Sequence, residues 1–339
     1  MKKYKLVKAK CMTNLSVIIP FYQTEHGLLR RSINSIVAQN SSVNIKIITI
    51  DDGSPADISA EVIGIKFPNN ISLEIVKKTN GGVSSARNAG LDIVTDDTDY
   101  IAFLDSDDVW NENHLSTAVQ ALHEGRDLYF SDNERPGFHK SYFQEICPAL
   151  VHSSHLKENG IREINNESFI DLLLRSFPSQ ISTAFARWNA IKSLRFEETF
   201  KMAGEDMIYV MRIALAAKGI CFTDSVGAVC GKGMNIYFSS INWQSPRHIP
   251  RLVDELQLYK YIENTHQLSQ KNKSWAKYMA KDTRRKITYF LIRNFIILKK
   301  ISPIINYKAL NSDKLFFALL PINIPISIFC LIIQRYYSN

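Results

Sequence analysis

Phe103-Leu104-Asp105-Ser106-Asp107-Asp108 decides how this chain is read. An apolar run, Tyr100 to Leu104, stops abruptly at three carboxylates. A short apolar run bounded by acids and turn residues reads as a buried strand whose end meets water. Three earlier stretches share that grammar. Leu15-Ser16-Val17-Ile18-Ile19 closes at Pro20, Ile45 to Ile50 runs into Asp51-Asp52-Gly53-Ser54-Pro55, and Ile71 to Val76 forms a third strand. Between them, residues 26–39 place Leu29, Ile33, Ile36 and Val37 at helical spacing, and Val83 to Val94 reads as a helix opened by small residues. Strands alternating with helices predict a mostly parallel sheet flanked by helices. Ligands of such sheets bind beyond the carboxyl ends of the strands. Both acidic clusters fall on that rim, where like charges repel unless something positive lies between them.

Composition narrows the function. The chain has 339 residues, 45% hydrophobic and 22% charged, which fits a folded protein of one or two domains and excludes disorder. Fourteen glycines and eleven prolines show no period, so collagen-like and solenoid folds are excluded. Net charge is +8, yet residues 271–300 alone carry ten Lys or Arg against Asp282, and residues 2–10 add five lysines. The remainder is mildly acidic. Nucleic-acid binding would want a basic stripe with interleaved aromatics, so no nucleic acid is expected. A basic stretch beside an apolar terminus reads instead as facing an anionic membrane surface. The five cysteines (11, 147, 221, 230, 330) form no CxxC, which argues for a reducing compartment and against disulfide or zinc scaffolds. Lysines at residues 2–10 are followed by no apolar core, so a secretory signal is not expected.

Each motif has a chemical and a plain reading. Asp105-Ser106-Asp107 can share a divalent cation and its diphosphate, since Mg²⁺ and Mn²⁺ take oxygen ligands; Asp107 or Asp108 can equally cap a helix. Asp51-Asp52-Gly53-Ser54 can be a strand-to-helix turn, or can offer a carboxylate to the imide N–H of uracil. Gly81-Gly82-Val83-Ser84-Ser85-Ala86-Arg87-Asn88-Ala89-Gly90 lets a backbone approach closely at a helix N-terminus, which favours anions. Arg87 is out of place among small residues unless it pairs with a nucleotide or an Asp cluster. The pattern is neither GxGxxG nor Walker A, so dinucleotide and ATP readings fall. Met202 to Lys218 has an apolar face of Met207, Val210, Met211, Ala214 and Leu215 behind Gly204-Glu205-Asp206. The acids there suit a helix start or a general base.

Taken in order and spacing, Leu15 to Pro20, Asp51 to Ser54, Gly82 to Gly90, Phe103 to Asp108 and Gly204 to Asp206 resemble glycosyltransferase family 2, over roughly residues 14–235. Gly233 to Tyr237 is similar to a loop of O-antigen and capsule transferases. The resemblance implies the GT-A fold, with a transferase domain at 1–240 (donor half 14–130, acceptor half 131–240) and a helical membrane-associating region at 241–339. It implies an inverting transfer from a nucleotide-sugar, a UDP-hexose, to a polyprenyl-diphosphate-linked oligosaccharide or other glycan acceptor. By carry-over, Pro20, Tyr22, Asp52, Arg87, Asp105 and Ser106 would bind the donor. Asp107 with Asp105 would hold Mn²⁺ or Mg²⁺, and Asp206 would be the base, with Glu205 next in line. The family's Pro-x-Tyr-Asn stands here as Pro20-Phe21-Tyr22-Gln23, keeping an amide with a longer reach. Two other classes stay open: a catalytically dead sugar-nucleotide or glycan-binding module, and a sugar nucleotidyltransferase. The latter would want a basic glycine-rich loop after the first strand, where this chain has Phe21 to Glu25.

Leu315 to Ile333 is nineteen residues without a charge, interrupted by Pro321 and Pro325. A spanning helix needs about 20 apolar residues, and proline tends to break helices, so an interfacial or shallowly inserted segment is expected. The alternative is a terminal helix packed on the catalytic domain. The expected location is the cytoplasm, peripheral on the inner face of the cell membrane.

Overall fold

The computed structural model describes residues 12–39, 41–138, 141–231, 240–297, 299 and 308–337. The lysines of residues 2–10 and the 233–237 loop lie outside them. The chain divides into two compact units: 1–197 with 209–234, and 198–208 with 235–339.

The first unit is built on a ten-stranded sheet. Its strands are β1 Asn14–Phe21, β2 Asn44–Asp51, β3 Ile71–Lys77, β4 Tyr100–Phe103, β5 Val109–Trp110, β6 Leu128–Glu134, β7 Ser154–Leu156, β8 Arg162–Ile164, β9 Phe185–Arg187 and β10 Ile220–Val229. The order is β3-β2-β1-β4-β9-β6-β10-β8-β7, with β5 on β10. The half β3-β2-β1-β4 is parallel, as the alternating pattern predicts. The other half is mixed. Short β9 inserts antiparallel between β4 and β6, and β8 and β5 run antiparallel to β10. Sequence alternation has no purchase on three-residue strands, so this half is less parallel than expected.

Val17, Ile18, Ile19, Ile47, Ile48 and Ile50 are fully buried because helices cover both faces of these central strands. The Val83–Asp92 helix lies so close on β1 that a Cβ on Gly90 would come within 2.7 Å of Ile18 Cγ2. The helix over Leu28–Val37 turns Leu29, Ile33 and Ile36 inward, as its spacing predicts. Tyr209, in the Glu205–Ala216 helix, stacks on Phe196 at 3.7 Å between centroids and meets the edge of Phe103.

The second unit takes in Glu198–Ile208, which is irregular up to the helix start at Glu205, and then the helices His248–Asn264, Gln270–Ile296 and Lys314–Tyr337. Ile249, Leu252, Val253, Leu256, Ala280, Ile287, Phe290 and Phe316 form its core. Buried Asp313 ties the elements together. It accepts from Arg284 Nη2 at 2.8 Å, from Lys260 Nζ at 3.2 Å and from the Phe316 amide at 2.9 Å. Burial pushes its carboxyl up, but the Arg284 bond and those that follow outweigh it and hold the group below the ordinary range.

Lys314–Tyr337 is one continuous helix through both prolines, within the region expected to be helical. Its orientation is inside out: Asn323 and Ser327 are buried, while Phe317, Ile322, Ile324, Ile326, Ile328, Phe329 and Ile332 are exposed. The window Lys314–Ile333 is long and apolar enough to cross a membrane, and only 22% of it is buried. A core helix of a water-soluble domain carries the opposite pattern.

A buried imidazole in the first unit makes a stability prediction. His114 is packed among Trp110, Phe185 and Tyr129, and neither ring nitrogen has a hydrogen-bond partner among the described residues. Burial lowers its pKa from 6.5 to about 3. Protonation therefore favours the unfolded chain. Stability is complete above about pH 6.5 and drains as pH falls toward 3, at about 1.4 kcal/mol per pH unit for one group. Thermal unfolding of wild type and His114→Leu at pH 8 and pH 5 should show a smaller pH difference in the variant. An unchanged difference would remove His114 as the source.

Candidate functional site

The carboxyl ends of β1, β2 and β4 lie side by side because the three strands are parallel neighbours. Each delivers its next residues to one rim. After β1 the chain passes Tyr22, which is exposed, to Gln23, which is buried. Gln23 stitches the rim together: its amide donates to Ser54 Oγ at 2.9 Å, and its Nε2 donates to Ser106 Oγ at 3.0 Å. The glutamine that departs from the family pattern thus bridges two of the three loops. Pro20 lies inside β1, opposite Ile50 of β2.

Asp52 follows β2 with only 2% of its surface exposed. Its Oδ1 accepts from Lys78 Nζ at 2.7 Å and from the Gly81 amide at 2.9 Å, and its Oδ2 accepts from the Gly82 amide at 2.8 Å. The carboxylate orders the Gly81-Gly82 turn from beneath. Gly82 has a φ of +92°, which a side chain would strain, and a Cβ on Gly81 would crowd Ser85 Oγ at 2.7 Å. Asp51 instead closes its own turn, accepting from the Ser54 amide at 2.8 Å.

Arg87 rises from the helix behind that turn and is 2% exposed. Its Nη2 donates to Asp105 Oδ1 at 2.7 Å, and its guanidinium lies 5.1 Å from the centre of the Phe196 ring. Of the two partners the sequence allows, an Asp cluster or a nucleotide, the structure pairs Arg87 with the cluster. Neighbouring Asn88 pins Phe196 in place. It donates to the Phe196 carbonyl at 3.0 Å and accepts from its amide at 2.7 Å.

Past β4, Asp105 is partly exposed, Ser106 is buried under Gln23, and Asp107 and Asp108 follow in a tight turn closed by Asp108 N to Asp105 O. Burial, then the charge of Asp105, pushes the Asp107 carboxyl up to about 6. The same two causes, in that order, push Asp108 up to about 7. Asp108 is engaged by the Gly231 amide at 2.8 Å and by Gln180 Nε2 at 3.1 Å. Its role is to join the loop after β10 to this turn, not to cap a helix. The Asp105 amide donates to Ser182 Oγ at 3.0 Å.

Glu205 and Asp206 stand in the first turn of the Glu205–Ala216 helix and belong to the second unit, half-buried. Gly204 just before them has a φ of +107°. The approach to Gly204 is held by Asp254, whose Oδ2 accepts from the Lys201 amide at 2.8 Å and the Met202 amide at 2.7 Å.

The structure therefore brings Asp52, Arg87, Asp105, Ser106 and Asp107 onto one rim. Sequence reasoning missed Lys78, Asn88, Gln180, Ser182 and Asp254. Lys78 has a local signal, a cation beside Gly-Gly at a strand end. The other four act on atoms brought near by folding, the Asp108 carboxylate for Gln180 and backbone groups for Asn88, Ser182 and Asp254, which no spacing encodes.

The rim suits a divalent cation. Burial and the neighbouring Asp105 charge hold the Asp107 carboxyl above its ordinary range, and a bound cation would relieve both penalties. Among the described residues no three His, Cys, Asp or Glu converge into a complete metal site. Further ligands would come from phosphate and water oxygens, the usual habit of Mg²⁺.

Comparison with known proteins agrees with this geometry. Residues 16–146 match the family model for glycosyl transferase family 2. The succinoglycan biosynthesis protein ExoW of Rhizobium meliloti (strain 1021) is 34% identical over 243 residues, covering 70% of this chain and 75% of that one. The minor teichoic acid biosynthesis protein GgaA of Bacillus subtilis (strain 168) is 33% identical over 60% of this chain and 44% of its own length. Among solved structures, S. aureus TarS 1-349 in complex with UDP-GlcNAc superposes with a TM-score of 0.54 at 20% identity, over 84% of this chain and 73% of that one. Mannosyltransferase PcManGT from Pyrobaculum calidifontis, in complex with GDP-Man and Mn²⁺, gives 0.53 at 14% identity, over 97% and 89%. These two likenesses establish the GT-A fold. The agreement of rim, fold and sequence places the chain in glycosyl transferase family 2, and the protein is a glycosyltransferase.

Proposed function

We propose that this glycosyltransferase moves a hexose from a UDP-sugar to a hydroxyl of a lipid-linked or surface-polysaccharide acceptor, inverting the anomeric centre in one displacement. The observation that carries the reading is the acidic rim braced by one buried guanidinium, Arg87 on Asp105. Such a rim suits a diphosphate with a cation and has little use in stability alone. The TarS neighbour's UDP-GlcNAc supports a uridine donor, and the relatives named for succinoglycan and teichoic acid biosynthesis support a glycan acceptor.

In this reading Asp52, Arg87, Asp105 and Ser106 form the floor of the donor site, with Pro20 and exposed Tyr22 at its edge. Asp52 stands at the uracil end, where its carboxylate holds the Gly81 and Gly82 amides, and Arg87 keeps the ribose end in register through Asp105. Asp107 with Asp105 would hold Mn²⁺ or Mg²⁺, whose charge would offset the charge gathering on the departing diphosphate. Asp206 takes the proton of the acceptor hydroxyl as its oxygen bonds to the anomeric carbon. The bond from that carbon to the diphosphate breaks, and its electron pair leaves on the UDP. Asp254 acts indirectly, by fixing the backbone that leads to Asp206. The inside-out Lys314–Tyr337 helix sits in the bilayer and the basic Gln270–Ile296 helix faces its anionic cytoplasmic surface, which brings a polyprenyl-diphosphate-linked acceptor within reach.

Excess EDTA should abolish transfer. Asp107→Ala should lower turnover by about 10²-fold or more while the thermal transition is retained. Full activity in EDTA, or a folded Asp107→Ala protein at the wild-type rate, would reject the metal.

Asp206→Asn should cost about 10² to 10⁴ in transfer rate, the usual value of a general base. Donor affinity by calorimetry should stay within a few-fold, because an amide can still be solvated where a carboxylate stood. Retained transfer would pass the role to Glu205.

Asp254→Ala should lower kcat by up to about 10²-fold, since small misplacements of catalytic groups are expensive. KM for the donor should hold, and Asp254→Glu should restore part of the rate. Equal losses in kcat/KM for Asp254→Ala and Asp254→Glu, with a lowered melting temperature in both, would reduce Asp254 to a stability residue.

A further inference from the structure

The second unit contains a cavity of about 850 Å³ between the His248–Asn264, Gln270–Ile296 and Lys314–Tyr337 helices. Its walls have three characters. Arg285 and Lys286, both exposed, stand at one side with Arg251. Ile326, Phe329 and Ile333 of the apolar helix line another. Buried Asn323 and Ser327 lie on the inward face of that same helix.

Two donors in this wall have no acceptor. Asn323 is 2% exposed and Arg251 is 9% exposed, yet Asn323 Nδ2 and Arg251 Nε make no hydrogen bond among the described residues. Arg251 spends Nη1 on Glu255, and Ser327 donates back to the Asn323 carbonyl at 2.7 Å. A buried donor without an acceptor costs about 1–3 kcal/mol, so such groups are retained where something else supplies the acceptor. Three cations stand against Glu255, and Lys286 is also paired with Asp282 at 2.8 Å, which still leaves the site with a net positive charge. An oxygen-rich anion is what this set of donors lacks. The apolar remainder of the lining asks for hydrocarbon attached to that anion.

We infer that this cavity binds one anionic glycerophospholipid of the surrounding bilayer. Its phosphodiester is held by Arg251, Arg285, Lys286 and Asn323, and one acyl chain lies along Ile326, Phe329 and Ile333. The inference rests on the membrane attachment proposed above. It assigns a defined lipid site to what would otherwise be a diffuse basic surface. The site also explains why the apolar helix turns an asparagine inward.

The test uses the full-length protein, purified in detergent and then presented to vesicles of phosphatidylcholine with or without phosphatidylglycerol. Flotation should be stronger with phosphatidylglycerol, and native mass spectrometry should retain one phosphatidylglycerol per chain. Arg285→Gln should weaken vesicle binding about fivefold, the effect of one cation near an anionic surface. Asn323→Leu, which changes no charge, should abolish the one-to-one adduct. Lys277→Gln, on the same helix but outside the lining, should leave that adduct intact. Equal flotation on both vesicle types would overturn the lipid site while leaving membrane attachment standing. No flotation on either would overturn attachment as well. Loss of the adduct in Lys277→Gln, its persistence in Asn323→Leu, or displacement of phosphatidylglycerol by an equal concentration of polyprenyl phosphate would each reject this site for this lipid.

Discussion

A guanidinium buried beneath a cluster of carboxylates governs the first unit. Arg87 cannot shed its charge at any physiological pH, so its burial has to be matched by an anion and a polarisable surface. Asp105 provides the first and Phe196 the second. Asn88 fixes Phe196, which stacks on Tyr209 of the Glu205–Ala216 helix, and Tyr209 meets Phe103 at the end of β4. The cation thus sits in a chain of contacts joining the glycine-rich turn, the acidic turn and a helix more than a hundred residues further on. Removing one partner from a buried pair strands the other charge, which is why such a network fixes geometry more than it adds stability.

The parallel half of the sheet was legible because its apolar runs are unbroken, and the rim was legible because two of those runs, β2 and β4, end in acids. The short strands β7, β8 and β9 left no trace, since two or three residues have no period. Site residues that carry their own charge at a strand end, Asp52, Arg87, Asp105 and Asp107, stood out. Gln180, Ser182 and Asp254 did not, because each meets a partner that only folding brings near: the Asp108 carboxylate for Gln180, and backbone amides for the other two. Gln23 read as a weakened family position, yet in the structure it joins Ser54 to Ser106.

In one helix of the second unit the usual partition of residues is reversed. That reversal is confined to the Lys314–Tyr337 helix, where Asn323 and Ser327 point inward and Phe317, Phe329 and Ile332 point out, while Phe290 and Phe316 keep an ordinary apolar core. Composition showed that the Leu315–Ile333 run was apolar, but only the fold could show which side it turns outward. The prolines pointed to an interfacial or shallowly inserted segment. The helix continues because proline removes one amide apiece, and the neighbouring turns retain theirs.

Those prolines have a mechanical consequence. Pro321 and Pro325 have no amide to offer, so the carbonyls of Phe317 and Pro321 receive no bond from within the helix. Over this stretch the rod is joined on one side only and bends more readily than the turns around it. Twenty helical residues reach about 30 Å when straight, and less when flexed. Under the proposed membrane attachment, a compliant joint there would let the outer half of the helix follow the thickness of the bilayer while Asp313 keeps its start fixed to Arg284.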